Sequence, residues 1–212
     1  MAPERVRRRS GRPTASEAAA LDRDVREAAL ARFLEHGYDG TSMATVARAA
    51  GTTKASLYAR WPTKEALFAA VLAWAVARPD WPFPEPPPPD TEDLATALHS
   101  IAAAACRRAT DPAMVALSRI AIAEADRVPD LARRAQGNST WARRETVVAL
   151  LERHAATGEI VADDPGLLAE HFVAMVAGMP ARLAAFGIER TPDEQERRTR
   201  AAVELFLRAL RP

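Results

Sequence analysis

The chain has 212 residues, 48% hydrophobic and 27% charged, which excludes disorder as the default and is long enough for a substantial core. A single cysteine, Cys106, excludes an internal disulfide and a cysteine-rich metal site, and its place in the small-residue run IAAAACRRA points to a buried packing thiol. No apolar run is expected to reach the roughly 20 residues that cross a bilayer, and the opening MAPERVRRRSGRP lacks a signal peptide's apolar stretch, so the expectation is a cytoplasmic protein without a membrane partner.

The net charge of +1 hides an asymmetry. Residues 1–77 hold 12 Lys+Arg against 8 Asp+Glu and the remainder 17 against 20, so +4 is followed by −3. Residues 1–16 form a candidate flexible arm in which Arg5, Arg7, Arg8, Arg9 and Arg12 crowd together, suited to phosphates or a minor groove; the plainer reading is a solvated tail. After residue 16 helix signals fill nearly the whole chain, and no alternating strand pattern of useful length occurs. The fold class is therefore all-α. Val25, Ala29 and Phe33 mark the buried stripe of a first helix that ends at Gly37.

Thr41 to Phe68, TSMATVARAAGTTKASLYARWPTKEALF, reads as a helix, a glycine turn, a short second helix and a restart at Pro62-Thr63-Lys64-Glu65. Met43, Val46, Ala47 and Ala50 recur at helical spacing, Gly51 supplies the stop, and Thr53 can cap the helix that begins at Lys54. This is a helix-turn-helix pattern. A fourth helix, from about Lys64 to Ala77, has Thr63 as its cap and Glu65 in its first turn, where the helix dipole favours a carboxylate. Residues 17–77 thus form one unit.

Arg78 to Thr91, RPDWPFPEPPPPDT, excludes regular helix and favours an extended, semi-rigid connector, with a docking peptide as the lesser reading. Beyond it, residues 92–212 form a second unit. Its helices run over Thr91–Thr110, Asp111 to about Asp126, Pro129–Thr157 (loosened near Gly137-Asn138 and stopped at Gly158), Pro165–Phe186 and Pro192–Leu210. Leu168, Phe172, Met175, Val176, Met179, Leu183 and Phe186 give the fourth of these a wide apolar stripe, so more than one of its sides is expected to pack against protein. The total is about nine helices.

A recognition helix needs donors at its amino end and a buried scaffold that sets its angle in the major groove. Lys54 and Ser56 lie in the first turn after Thr53, Leu57 is placed to pack against Val46 and Ala47, Ala55 allows close backbone approach, and Tyr58 offers a hydroxyl to a phosphate. Lys54 and Lys64, the two lysines of the chain, flank this helix in a protein that otherwise uses arginine. Double-stranded DNA is accordingly the first partner to consider. No Gly-rich phosphate loop, nucleophile elbow or paired-histidine motif occurs, so no enzyme, catalytic residue or cofactor is expected. His99, His154 and His171 are too scattered for a metal site.

Phe33, Gly37-Tyr38, Thr41-Ser42, Val46-Ala47, Ala50-Gly51, Thr53, Leu57-Tyr58, Trp61 and Thr63-Lys64-Glu65-Ala66-Leu67 together resemble the amino-terminal domain of the tetracycline-repressor (TetR) family. The departures are Ala55 where glycine is frequent, Ala59-Arg60 where aromatics or histidine are frequent, and Trp61 where phenylalanine is usual. The resemblance places Thr53, Tyr58 and Lys64 on phosphates and Lys54 with Ala55 nearest the bases; Arg60 offers an additional contact. The candidate DNA-binding set is Thr41, Ser42, Thr53, Lys54, Ala55, Ser56, Tyr58, Arg60 and Lys64, with Arg7, Arg8, Arg9 and Arg12 of the arm.

The second unit is similar to the ligand-sensing domain of the AefR-like branch. What this implies is a homodimer on a palindromic operator, released by a largely apolar small-molecule effector. Met114, Leu117, Ile120, Trp141, Val148, Phe172, Met175 and Phe186 are the candidate pocket residues, although a place in the core is the plainer reading of each. Phe172, Met175, Val176, Met179, Leu183, Val203, Phe206, Leu207 and Leu210 are the candidate dimer interface. The competing expectation is a helical ligand- or partner-binding protein whose helix-turn-helix serves another interface.

Overall fold

The computed structural model describes residues 15–78, 80, 93–126 and 144–211. Arg7, Arg8, Arg9 and Arg12, most of the Pro-rich connector, Gly137-Asn138 and Trp141 lie outside the described residues. Nine helices, and no strand, occur among the described residues. They are α1 (Ala15–His36), α2 (Met43–Ala49), α3 (Lys54–Arg60), α4 (Lys64–Ala77), α5 (Leu94–Thr110), α6 (Pro112–Ala123), α7 (residues 144–156), α8 (Pro165–Ala185) and α9 (Pro192–Ala209).

Side-chain caps fix where these helices start. Thr63, Asp93, Asp111, Asp164 and Thr191 each accept an N–H from the first turn of α4, α5, α6, α8 and α9, and proline opens the last three of these helices. Asp93 caps α5, which sets its start at Leu94. α6 ends at Ala123, short of the expected Asp126.

Two apolar cores follow from the helical stripes. In the first, Phe33 of α1 meets Phe68 of α4 at 4.8 Å between ring centroids, and Tyr38 lies 5.3 Å from Phe68. Val25, Ala29, Val46, Ala47 and Leu57 close around these rings. Such edge-on aromatic pairs contribute beyond the area they bury. The second core gathers Leu98 and Ile101 of α5, Val147 and Leu151 of α7, Phe172 and Val176 of α8, and Val203 and Phe206 of α9; Phe172 and Phe206 lie 4.9 Å apart. Cys106 of α5 is buried, and burial pushes its thiol pKa up, so it is a poor nucleophile.

The cores are joined at two places. α6 packs against α1 and inserts Leu117, 1% exposed, into the first core, with Met114 and Ile120 beside it. Arg108, near the end of α5 and 3% exposed, donates from Nη2 to the carbonyls of Val76 (3.0 Å) and Arg78 (2.9 Å). Those carbonyls belong to the end of α4, where a helix leaves acceptors without internal partners.

α8 carries a π-helical segment, Ala174–Gly178, that the apolar stripe did not foretell. A wider turn shifts the phase of everything after it. Pro180 is therefore buried where Met179 was expected, while Met179 is 51% and Phe186 72% exposed. α8 has 21 residues and a mean hydropathy of 1.2 over its most apolar window, long and apolar enough by length and composition to cross a bilayer, contrary to expectation. It packs against α5 and α6, and carries Glu170, His171 and Arg182 on its exposed side.

Replacing Arg108 by alanine removes the donor to both carbonyls. The expected result is a loss of about 1.5–3 kcal/mol, read as a lower urea midpoint at constant slope; an unchanged midpoint would show that the junction contributes nothing.

Candidate nucleic-acid interface

The turn between α2 and α3 is built from local bonds. Ser42 Oγ accepts the Thr45 N–H (3.2 Å) while Thr45 Oγ1 accepts the Ser42 N–H (3.1 Å), a reciprocal cap on α2. Gly51 has φ +64, the left-handed conformation that ends a helix, and Thr52 N–H returns to the Ala47 carbonyl at 2.9 Å. Thr53 then starts α3 by accepting the Ser56 N–H at 3.1 Å. α3 buries Leu57 (1% exposed), and Trp61, which follows it, is buried as well. Two apolar anchors thus fix the helix, and its remaining side chains turn outward.

The predicted residues fall into three groups. Lys54, Ala55 and Tyr58 are exposed on α3, and neither Lys54 nor Tyr58 has a polar partner among the described residues. Ser42 and Thr53 are exposed as caps, and Ser56 is half-buried. The third group is engaged within the protein. Thr41 is 2% exposed, and its hydroxyl donates to the carbonyls of Arg32 (3.0 Å) and Gly37 (2.9 Å), so it fastens the approach to α2 rather than facing a ligand. Arg60 Nη1 donates to Ala18 O and Asp22 Oδ1, both at 3.1 Å, which ties the end of α3 to α1. Lys64 Nζ donates to Tyr38 O at 2.9 Å and lies 4.0 Å from the centre of the Tyr38 ring, using one of its three donors.

The start of α4 is electrostatically tuned as well. The Glu65 carboxyl is held below its ordinary pKa first by its own backbone N–H and then by the Thr63 and Tyr38 hydroxyls, so it stays ionised against the helix's positive end. Asp22, which holds Arg60, and Thr45, which completes the α2 cap, were not picked out from the sequence. Thr45 sits three residues after Ser42 and could have been found by that spacing; Asp22 is far from Arg60 in sequence and could not.

Residues 25–71 match the family model described as bacterial regulatory proteins, tetR family, and residues 96–212, more than half the chain, match the C-terminal domain of AefR-like transcriptional repressors. The chain belongs to the TetR family of transcriptional regulators. A TetR-family transcriptional regulator from Mesorhizobium loti MAFF303099 is similar, with a TM-score of 0.72 and 27% identity over 94% of this chain and 100% of that one. The flavonoid-responsive regulator FrrA has a TM-score of 0.73 and 32% identity, covering 92% and 98%. The HTH-type transcriptional repressor ComR of Escherichia coli (strain K12) is 41% identical over 68 residues, 32% of this chain; that match spans 30% of ComR. Family and fold point to a DNA-binding regulatory protein rather than an enzyme.

In this TetR-family chain the described pocket candidates divide between the two cores and the surface. Leu117, Met114 and Ile120 belong to the first core, Phe172, Val148 and Met175 to the second, and Phe186 is exposed. A cleft of about 450 Å³ lies between α6 and the α8–α9 turn, lined by Val115, Ala116, Arg119, Pro180, Leu183, Ile188, Arg190 and Gln195 among others. Its loop residues gave no periodic signal from which to predict them. Of the dimer candidates, Phe172, Val176, Val203, Phe206 and Leu210 are buried within the subunit, Met175, Leu183 and Leu207 are half-buried, and Met179 is exposed. The π segment accounts for Met179; the others are held by the intramolecular packing of α5 on α8 and α9.

Thr41→Val keeps the shape and removes the hydroxyl that bonds Arg32 and Gly37. Thermal unfolding should show a loss of about 1 kcal/mol, with DNA affinity per folded molecule unchanged; a selective loss of affinity would return Thr41 to the contact surface.

Proposed function

We propose that the protein is a dimeric transcriptional repressor that holds a palindromic operator through α3 of each subunit and releases it when a small-molecule effector binds the helical domain. The observation that carries this reading is the split character of α3: Leu57 and Trp61 hold it from beneath, while Lys54, Ala55 and Tyr58 stand exposed without internal partners. Lys54 and Ala55 are assigned to base edges, Tyr58, Thr53 and Ser42 to phosphates, and Ser56 to support of the amino-terminal turn. Lys64 supplies phosphate contacts with its remaining donors, and Arg7, Arg8, Arg9 and Arg12 follow the backbone or the adjacent minor groove. Residues 17–77 act as the reading head, 78–91 as the connector and 92–212 as the sensing and dimerising part. Such a protein works where its operator is, in the cytoplasm.

Dimerisation is assigned to the face of α8 turned away from α5, where Leu167, His171, Ala174, Gly178 and Met179 are exposed, together with Leu205 on α9. Small residues at 174 and 178 let two helices approach closely. A Cβ placed on Gly178 meets nothing within 4 Å, so a side chain there leaves the subunit intact and obstructs a neighbour. Gly178→Arg is therefore expected to yield a folded monomer in sedimentation analysis; a dimer of unchanged stability would place the interface elsewhere.

Release is assigned to the junction between the cores. A ligand that moves α5 or α6 acts on the head through Arg108, Leu117 and α4. Converting a 1:99 population of released form to 99:1 requires about 5.5 kcal/mol of differential affinity, within reach of a ligand filling a cleft of several hundred Å³. A small-molecule response is supported by the similarity to FrrA, whose name describes it as flavonoid-responsive.

A gel-shift titration on the DNA beside the protein's own gene, repeated over a range of salt, tests the reading head. Binding should weaken steeply with salt through counterion release. Lys54→Ala is expected to flatten the slope by about 1 when it removes a phosphate contact and to relax sequence preference when it removes a base contact. Undiminished binding by Lys54→Ala with Tyr58→Ala would overturn the assignment of α3.

A further inference from the structure

The cleft between α6 and the α8–α9 turn has an apolar side and a cationic side. Val115, Pro180, Leu183 and Ile188 supply the first, and Arg119 and Arg190 the second. We propose that this cleft binds an organic carboxylic acid with an apolar body, its carboxylate on Arg190 and its body against Val115, Leu183 and Ile188. The proposal rests on the reading that the helical domain receives an effector, and it names that effector's chemical class.

Arg190 carries the argument. Its side chain is half-buried, and Nη1 donates to Gln195 Oε1 at 3.3 Å. A guanidinium has five N–H donors in a fixed fork, and among the described residues no carboxylate pairs with this one. A half-buried charge held by a neutral amide is under-compensated, and a carboxylate accepting two parallel N–H bonds is the partner whose geometry matches the fork. Arg119 adds a second positive charge to the same wall. Its Nε and Nη2 donate to the carbonyls of Ala185 (2.8 Å) and Ala184 (3.0 Å) at the end of α8, again without a carboxylate among the described residues. The acidic side chain at the cleft, Glu189, is exposed, where solvent screens it. The apolar wall and the volume of about 450 Å³ argue for a ligand with a body and against a bare inorganic anion.

The site is wired to the interior. Gln195, which holds Arg190, donates through Nε2 to Thr199 Oγ1 at 3.3 Å, and the Thr199 hydroxyl lies close enough to the Cys106 thiol of α5 to influence it. Two residues further along α5 stands Arg108, whose guanidinium grips the end of α4. An acid that draws Arg190 away from Gln195 thus acts on the element that holds the reading head.

Calorimetric titration of the full-length protein with 2-naphthoate and decanoate, each against its primary amide, tests the proposal. The acids are expected to bind at least about tenfold more tightly than the amides. Arg190→Gln should abolish that preference while leaving amide binding and thermal unfolding unchanged, and Arg190→Lys should keep a preference for the acid. Equal affinity for acid and amide, no binding of either acid, or a preference that survives Arg190→Gln would overturn the proposal. Gel shifts run in parallel separate it from the effector reading. Arg190-dependent acid binding that leaves DNA bound keeps the site and overturns the reading; release by the amide, undiminished in Arg190→Gln, keeps the reading and overturns the proposal.

Discussion

A buried guanidinium needs acceptors, and Arg108 finds two of them at the end of another helix. The last carbonyls of α4 have no partner within α4, and Arg108 of α5 supplies donors to two of them. The bargain is mutual: each side would leave a buried polar group stranded without the other. Burial pushes the Arg108 pKa down, yet from so high a starting value that it remains charged. Arg78, whose carbonyl is one of the acceptors, is itself pinned by Asp80, by Glu27 of α1 and by the Trp74 ring. The end of α4 is therefore a shared corner of α1, α4 and α5. Leu117 of α6 closes the same junction from the apolar side. α5 is thus tied to the end of α4 by Arg108, and α6 to the first core by Leu117.

The proposed reading helix, α3, depends on the opposite kind of stability. α3 has seven residues, too few to be helical alone, so its form is imposed by Thr53 at one end and by Leu57 and Trp61 beneath. Because so little of α3 is buried, its outward side chains are free of packing demands. Arg60, tied to Asp22, fixes the angle between α3 and α1. The angle of the reading helix is thus set by charges and apolar anchors on its own domain, and the junction at α4 sets where that domain points.

Much of the head was legible because its determinants are local. The spacing of Val25, Ala29 and Phe33, the turn at Gly51 and the caps at Thr53 and Thr63 each involve residues within four positions, and all appear as read. The inward turn of Thr41 was not legible, since which of two adjacent hydroxyls faces in depends on the path from Gly37. The cleft was less legible still. It exists because Gly187, at φ +75, turns the chain after α8 and brings Ile188 and Arg190 beside α6, a contact across some 70 residues that no periodicity encodes. Of the apolar residues considered for a pocket, Leu117 and Phe172 are buried in the two cores and Met114, Ile120, Val148 and Met175 pack against them, as apolar residues on helical stripes generally do.

The π segment of α8 ties these departures together. An unbroken α-helix would carry the stripe through Met175, Met179 and Phe186 on one face. With the wider turn at Ala174–Gly178, the buried line passes from Val176 to Pro180 and Leu183. Two consequences follow from that one shift. Met179 and Gly178 are delivered to the outer face, where an adjoining subunit is proposed to sit, and Pro180 and Leu183 are delivered to the wall of the cleft. A small cavity of about 150 Å³, lined by Met175, Met179, Arg190 and Thr199, lies along the same segment. The proposed dimer face and the proposed acid site therefore adjoin along one irregular helix, so a ligand that changes how α8 packs at the cleft also changes the face proposed for the second subunit.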